Sequence, residues 1–261
     1  MRLAVQLAGL ALALTCVAAT TATADTSKVA KELVTIQPKA VVRGKNKLCC
    51  GYPLVADLEW GLRFYFMVLE ADYDDPSSPA IAKAMRGVPL PDGWVDLYNT
   101  MGFFVGRFTE YFAAAVRLEG SALMADGRVL SYAGKCDYGF GTCFDQLDTS
   151  VHPFGRGARH QRKAEGRRNL TPFKSVAVDP RLIPIGEPIY VPELDGLALP
   201  DGSIHDGCVR GDDTGGGIKR RKMDFFVVTY WNYKFMQDQV MNVPWITPHL
   251  ESPRCEYLRD M

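Results

Sequence analysis

The chain has 261 residues, 47% of them hydrophobic and 23% charged. That composition excludes a mainly disordered chain and suits one large domain or two small ones. Lys and Arg number 30 and Asp and Glu number 30, so the formal net charge is zero, which removes the electrostatic case for a nucleic-acid protein.

Residues 1–24 read as a secretory signal peptide. Arg2 supplies a short basic start, Leu3 to Ala19 is an apolar run, and Ala22-Thr23-Ala24 is a small-residue cleavage signal. The chain has 7 cysteines, an odd number, and cleavage after Ala24 would remove Cys16. Cys49, Cys50, Cys136, Cys143, Cys208 and Cys255 would remain, an even set suited to disulfides in an oxidising compartment. Adjacent Cys49 and Cys50 are not expected to bond each other. Cys136 and Cys143 bracket a Gly-rich loop that they could close. None of the spacings resembles a zinc site, so no metal or cofactor is expected. No later apolar run is long enough to span a bilayer. The expectation is a secreted or periplasmic protein with no stable membrane span after signal cleavage.

Residues 25–58 lack periodicity and read as an N-terminal arm. Residues 59–72 are compatible with a buried helix, but Phe64-Tyr65-Phe66 followed by Met67-Val68-Leu69 favours a strand. A turn-rich break at 73–80 precedes a short helix at 81–86, which Pro89, Pro91 and Gly93 end. Val95, Leu97, Phe103, Phe104, Phe108, Tyr111, Phe112 and Val116 recur with helical spacing, which predicts a helix in 103–115. Residues 73–115 are thus read as a helical insertion. From Val116 onward short β-rich runs alternate with turn residues. They are VRLEGSALM, RVLSYAG, SVAVD, EPIYVPEL, CVRGDD and MDFFVVTYW, a texture that implies an all-β barrel or sandwich. The Ala125-Asp126-Gly127 tripeptide reads as a hairpin turn, and residues 242–261 as a C-terminal tail. Residues 156–174 hold seven Lys or Arg against one Glu. The run is either a solvated loop or one wall of a groove for an anionic polymer. It interleaves no stacking aromatics, so nucleic acid is not an expected partner.

Three aspartates stand at strand edges. Asp179 lies in Val176-Ala177-Val178-Asp179-Pro180, Asp213 precedes Thr214-Gly215-Gly216, and Asp224 interrupts the apolar Met223-Phe225-Phe226. Asp-Pro and Asp-Thr-Gly also organise turns. A carboxylate inside an apolar strand is costly unless it faces a wet cleft or a partner. Glycines 215–217 let the chain turn sharply and let a ligand approach the backbone. Paired acids in a cleft suit general acid/base work on a glycosidic bond.

The string VAVDP-x-x-IP-x-G, then DTGG-x-IK, then an aspartate eleven residues after Asp213, resembles the 3D domain, named for its three aspartates. That domain occurs in MltA-type lytic transglycosylases and related secreted cell-wall proteins. The matching core is 175–230, with looser similarity through Glu119-Gly120-Ser121 and the aromatic strand at 62–71. The resemblance implies a mainly β fold, a six-stranded double-psi β-barrel over residues 59–241. It implies that peptidoglycan, or another cell-wall glycan, is cleaved between N-acetylmuramic acid and N-acetylglucosamine to a 1,6-anhydro product. Asp224 matches the catalytic acid and Asp213 a second acid lining the cleft, while Asp179 matches an aspartate of more supportive role. Thr214, Gly215, Gly216, Lys219, Glu119 and Ser121 are the implied substrate contacts.

For the acid role Asp224 needs a raised pKa, through burial near Phe225 or the charge of Asp213. Two positions depart from the family: Gly217 stands where Ala is usual and Arg220 where Gly is usual. Arg220-Arg221-Lys222 would place three cations beside Asp224 and lower its pKa, or would bind carboxylates of the peptide stems. The alternative function is a non-catalytic, expansin-like wall-binding or wall-loosening module.

Overall fold

The computed structural model describes residues 52–53, 59–85, 93–136, 139, 141–157, 168–240 and 245–261. The signal expected at 1–24, most of the arm at 25–58 with Cys49 and Cys50, and the middle of the basic run at 156–174 lie outside the described residues.

In chain order, β1 is Tyr52–Pro53, β2 Trp60–Tyr65 and β3 Val68–Leu69, followed by a 3-10 turn at Glu70–Tyr73 and α1 at Pro79–Met85. Next come β4 (Trp94–Tyr98), β5 (Phe104–Thr109), α2 (Glu110–Glu119), β6 (Ser121–Leu123), β7 (Val129–Lys135) and β8 (Thr142–Leu147). The third stretch holds β9 (Ser175–Ala177), β10 (Pro188–Ala198), β11 (Ile204–Asp213), β12 (Lys222–Phe226) and α3 (Tyr230–Gln239). β13 (Trp245–Ile246), β14 (His249–Leu250) and a 3-10 helix at Pro253–Leu258 follow. The fold is mainly β. One sheet runs β1-β14-β10-β11-β9-β12-β2-β13 and the other β3-β6-β7-β8-β4-β5. A single core cluster draws on both sheets, with Trp60, Val176, Ile189 and Phe225 from the first and Leu97, Leu130 and Phe144 from the second.

Two sequence expectations are corrected. The helix predicted over 103–115 divides, with Phe104–Thr109 a strand paired to β4 and the helix running Glu110–Glu119. The hydrophobic spacing there is common to both states. The boundary comes instead from Thr109, whose Oγ1 accepts the Phe112 N–H at 3.4 Å as an N-cap, and from Gly120, left-handed at φ 97°, which ends the helix. The insertion at 73–115 therefore contributes a hairpin as well as helix. The run MDFFVVTYW also divides. Its strand stops at Phe226, and Thr229 caps a helix by accepting the Asn232 N–H at 3.1 Å.

Residues 245–261 are docked on the first sheet. Cys136–Cys143 closes the Gly-rich loop, and Cys208–Cys255 joins β11 to the last 3-10 helix. Arg210 on β11 reinforces the second joint. Its Nε lies 2.6 Å from Asp212 Oδ1, and its Nη1 donates to the Leu258 carbonyl at 2.6 Å and to the Met261 carbonyl. Both members of the ion pair are buried, and Ser175 Oγ donates to Asp212 Oδ2 at 2.6 Å. Removing one partner of a buried pair leaves an uncompensated charge, which costs about 3–5 kcal/mol. The Arg107–Asp96 pair is exposed, where solvent screening leaves an ion pair little effect on stability. Urea denaturation should therefore find Arg210→Met destabilised by about 3–5 kcal/mol and Arg107→Met close to the unsubstituted protein.

Candidate active site

The site is built around a three-residue strand. β9 lies between β11, which it pairs in parallel, and β12, which it pairs antiparallel. Ala177 is in register with Asp213 on one side and with Asp224 on the other. Residues directly opposite in a sheet point to the same face. The two aspartates therefore flank a methyl group, with their Cα atoms on the order of 10 Å apart, two strand spacings. The register shifts between Gly211 and Asp213, so Asp212 is an extra residue. The bulge turns Asp212 into the interior beside Arg210 and delivers Asp213 to the open face.

That face is the floor of a cleft of about 620 Å³. Asp179, Asp213, Asp224, Thr214, Gly215, Gly216 and Lys219 line it from the first sheet and its loops, together with Tyr65, Ala177 and Ile218. The end of α2 contributes Arg117, Leu118 and Glu119 with the following Gly120, and Tyr132, Arg156, Leu170, Pro180 and Arg181 complete the lining. Eight of the nine residues singled out in the sequence are thus brought together. The ninth, Ser121, is corrected. It is buried in β6, and Gly155 packs so closely on it that a Cβ there would fall 2.8 Å from Ser121 Cβ. Among the described residues no group of three His, Cys, Asp or Glu side chains stands together to hold a metal ion.

The carboxylates sit in different environments. Asp179 is buried, yet it accepts Arg181 Nε at 2.9 Å, Arg181 Nη2 at 2.6 Å and the Arg220 N–H at 2.7 Å. Hydrogen bonds from the Arg181 guanidinium, followed by backbone N–H groups, hold its pKa far below the usual carboxylate range. Asp179 therefore stays ionised and pins the loop that ends at Arg220. Arg220 has φ 58°, the left-handed region where a glycine is unstrained, which explains why Gly is the usual residue of the resembled family there.

Asp224 has the opposite surroundings. Its Oδ1 is sealed from solvent and has no hydrogen-bond partner among the described residues. Burial pushes its pKa up to about 7, the nearby Glu119 charge adds to this, Lys83 and Arg63 oppose it, and Asp213 raises it further. The expectation that Arg220-Arg221-Lys222 lower this pKa is corrected. The net shift is upward, because burial of an unsolvated carboxylate outweighs the surrounding cations, and Arg220 and Arg221 are exposed to solvent that screens them.

Glu119 is held in place by Lys83, whose Nζ lies 3.0 Å from Oε1, and by the Phe66 N–H, 3.4 Å from Oε2. Lys83 Nζ also sits 4.3 Å and 4.4 Å from the ring centres of Phe66 and Tyr233, two cation–π contacts. Tyr65 brings a buried hydroxyl towards Asp213. Burial and the charges of Asp213 and Asp224 hold that hydroxyl well above its ordinary pKa, so it stays protonated as a donor. Sequence reasoning missed Tyr65 as a cleft-lining residue and Lys83 as the partner of Glu119. Tyr65 is hidden in an aromatic run, and no local pattern links Lys83 to Glu119, 36 positions away.

Residues 174–232 match the family model described as the 3D domain. Among solved structures, E. coli MltA with bound chitohexaose is similar at 13% identity, over 74% of this chain and 72% of that one, with a TM-score of 0.42. LtgG, a lytic transglycosylase of Burkholderia pseudomallei, is similar at 16% identity, over 75% and 73% of the two chains, with a TM-score of 0.35. No curated protein matches the chain.

The opposing charges around Asp224 make a signed prediction. In Glu119→Gln, a carboxyl ¹³C NMR titration should find the Asp224 pKa below 7, closer to the ordinary value of about 3.9. In Lys83→Gln it should move the other way.

Proposed function

We propose that this protein, whose residues 174–232 match the family model of the 3D domain, is a secreted or periplasmic peptidoglycan lytic transglycosylase. In this reading β2 and β9 to β12 belong to the double-psi barrel that the resemblance implies. The observation that carries the reading is Asp224, a carboxyl in an open cleft whose pKa burial raises to about 7. A general acid works best with a pKa near the working pH.

The reaction divides among the cleft residues. A glycan strand lies along the Thr214-Gly215-Gly216 turn, where the absence of side chains on the two glycines lets sugar approach backbone. Lys219 and Glu119 contact it from either side. Asp224 donates its proton to the glycosidic oxygen as the bond from that oxygen to C1 of N-acetylmuramic acid breaks. The muramic C6 hydroxyl then forms the new bond to C1, and its proton returns to the Asp224 carboxylate. The products are a free 4-hydroxyl on N-acetylglucosamine and a 1,6-anhydro ring, with no water consumed and Asp224 again protonated. Asp213, across Ala177, supplies negative charge against the developing oxocarbenium ion. Asp179 takes no proton and holds the loop. Among the described residues no helix is long and apolar enough to cross a membrane.

The sign of the pH dependence follows from the acid role. The active form has Asp224 protonated, so turnover should decline above about pH 7, approaching a tenfold loss per pH unit. Asp224→Asn should reduce kcat by about 10²–10⁴-fold while binding is retained, read by mass spectrometry of released anhydro-muropeptides. A non-catalytic wall-binding module would bind peptidoglycan in both forms and release nothing in either.

A further inference from the structure

The positive side of the cleft has its own organisation. Arg156 lines the cleft from the chain segment facing β11. Its backbone position is closely constrained, because Arg156 bridges to Asn169 and the next residue, Gly157, lies against the bulge. A Cβ on Gly157 would fall 2.1 Å from the Asp212 carbonyl oxygen, so only glycine allows this approach. Gly157 also donates its N–H to the Arg168 carbonyl at 3.0 Å. The guanidinium is thus carried by a backbone docked on the residue next to Asp213.

What the Nε of that guanidinium lacks is a partner. Its Nε is sealed from solvent without a hydrogen bond, and no ion pair joins it to a carboxylate among the described residues. Other guanidinium groups nearby are matched: Arg210 with Asp212, and Arg181 with Asp179. Glu119 is likewise committed to Lys83. A desolvated donor without an acceptor is costly, and a guanidinium fork matches a carboxylate in two parallel hydrogen bonds. Exposed Arg117 and Lys219 add two further positive charges to the same lining.

We propose that Arg156 is an anchor for a carboxylate carried by the glycan, so that the cleft selects a carboxylate-bearing amino-sugar polymer over a neutral one of the same length. The proposal rests on the glycan-cleaving reading and adds a recognition element to it. Two parts of the polymer carry the required group: a lactyl ether whose carboxyl is free, and a peptide stem with its own carboxylates. An anchor on a pre-positioned backbone would hold the strand in register with Asp213 and Asp224.

Calorimetric titration in an Asp224→Asn background, which removes turnover, tests the proposal with three probes of equal sugar length. These are muramyl oligosaccharides stripped of peptide, the same oligosaccharides with stems attached, and neutral chito-oligosaccharides. Arg156→Gln should weaken binding of at least one carboxylate-bearing probe tenfold or more and leave the neutral probe within twofold. The affected probe identifies the source of the carboxylate. Arg156→Lys, which keeps the charge but not the fork, should lose several-fold on that same probe. Equal losses on all three probes, or no loss in either variant, would overturn the anchor. If the unsubstituted Arg156 protein binds none of the three probes, the glycan reading itself falls along with the anchor.

Discussion

The structure depends on one constraint: Ala177 must sit in register between Asp213 and Asp224. β9 supplies only three residues, so its position is set by neighbours. On one side, the Asp212 bulge turns a second aspartate inward and lets Asp213 face the cleft. The inward aspartate would be prohibitive alone. It is tolerated because Arg210 and Ser175 satisfy it, and the same Arg210 ties down the carbonyls of Leu258 and Met261. The docked end of the chain, the bulge and the cleft floor are therefore one mechanical unit.

Within that unit, identical side chains are driven to different protonation states by their surroundings. Asp179 is surrounded by donors and stays ionised. Asp224 is denied donors at Oδ1. Holding an aspartate at about 7 rather than 3.8 corresponds to on the order of 4 kcal/mol against its anion. Burial supplies the largest part, and the balance between Glu119 and Lys83 trims the remainder. Lys83 is itself fixed by the Glu119 carboxylate and by contacts with two aromatic rings.

The part of this site legible in the sequence is the part encoded by short-range patterns. Asp-Pro, Asp-Thr-Gly-Gly and an acid inside an apolar strand are each visible within a few residues, and the structure gathers Asp179, Asp213 to Gly216 and Asp224 around one cleft. The loop closed by Cys136 and Cys143 was legible for the same reason. The pairing of Lys83 with Glu119 was not, because it forms only through the packing of segments distant in sequence. Ser121 stands two residues after Glu119 in sequence but is buried in β6, outside the lining. The helix placed at 103–115 failed where aromatic spacing suits either secondary structure, and only the Thr109 cap separates them. The effect of Arg220 to Lys222 was misjudged for a different reason: charge can be counted in a sequence, but desolvation cannot.

The central claim is that Asp224 drives an internal attack by the substrate's own hydroxyl rather than by water. Peptidoglycan digested in ¹⁸O-labelled water separates the two outcomes by mass spectrometry of the new muramic ends. The account predicts anhydro ends, lighter than the reducing sugar by one water and carrying no ¹⁸O. Reducing ends labelled with ¹⁸O would contradict it and make Asp224 the acid of a hydrolase.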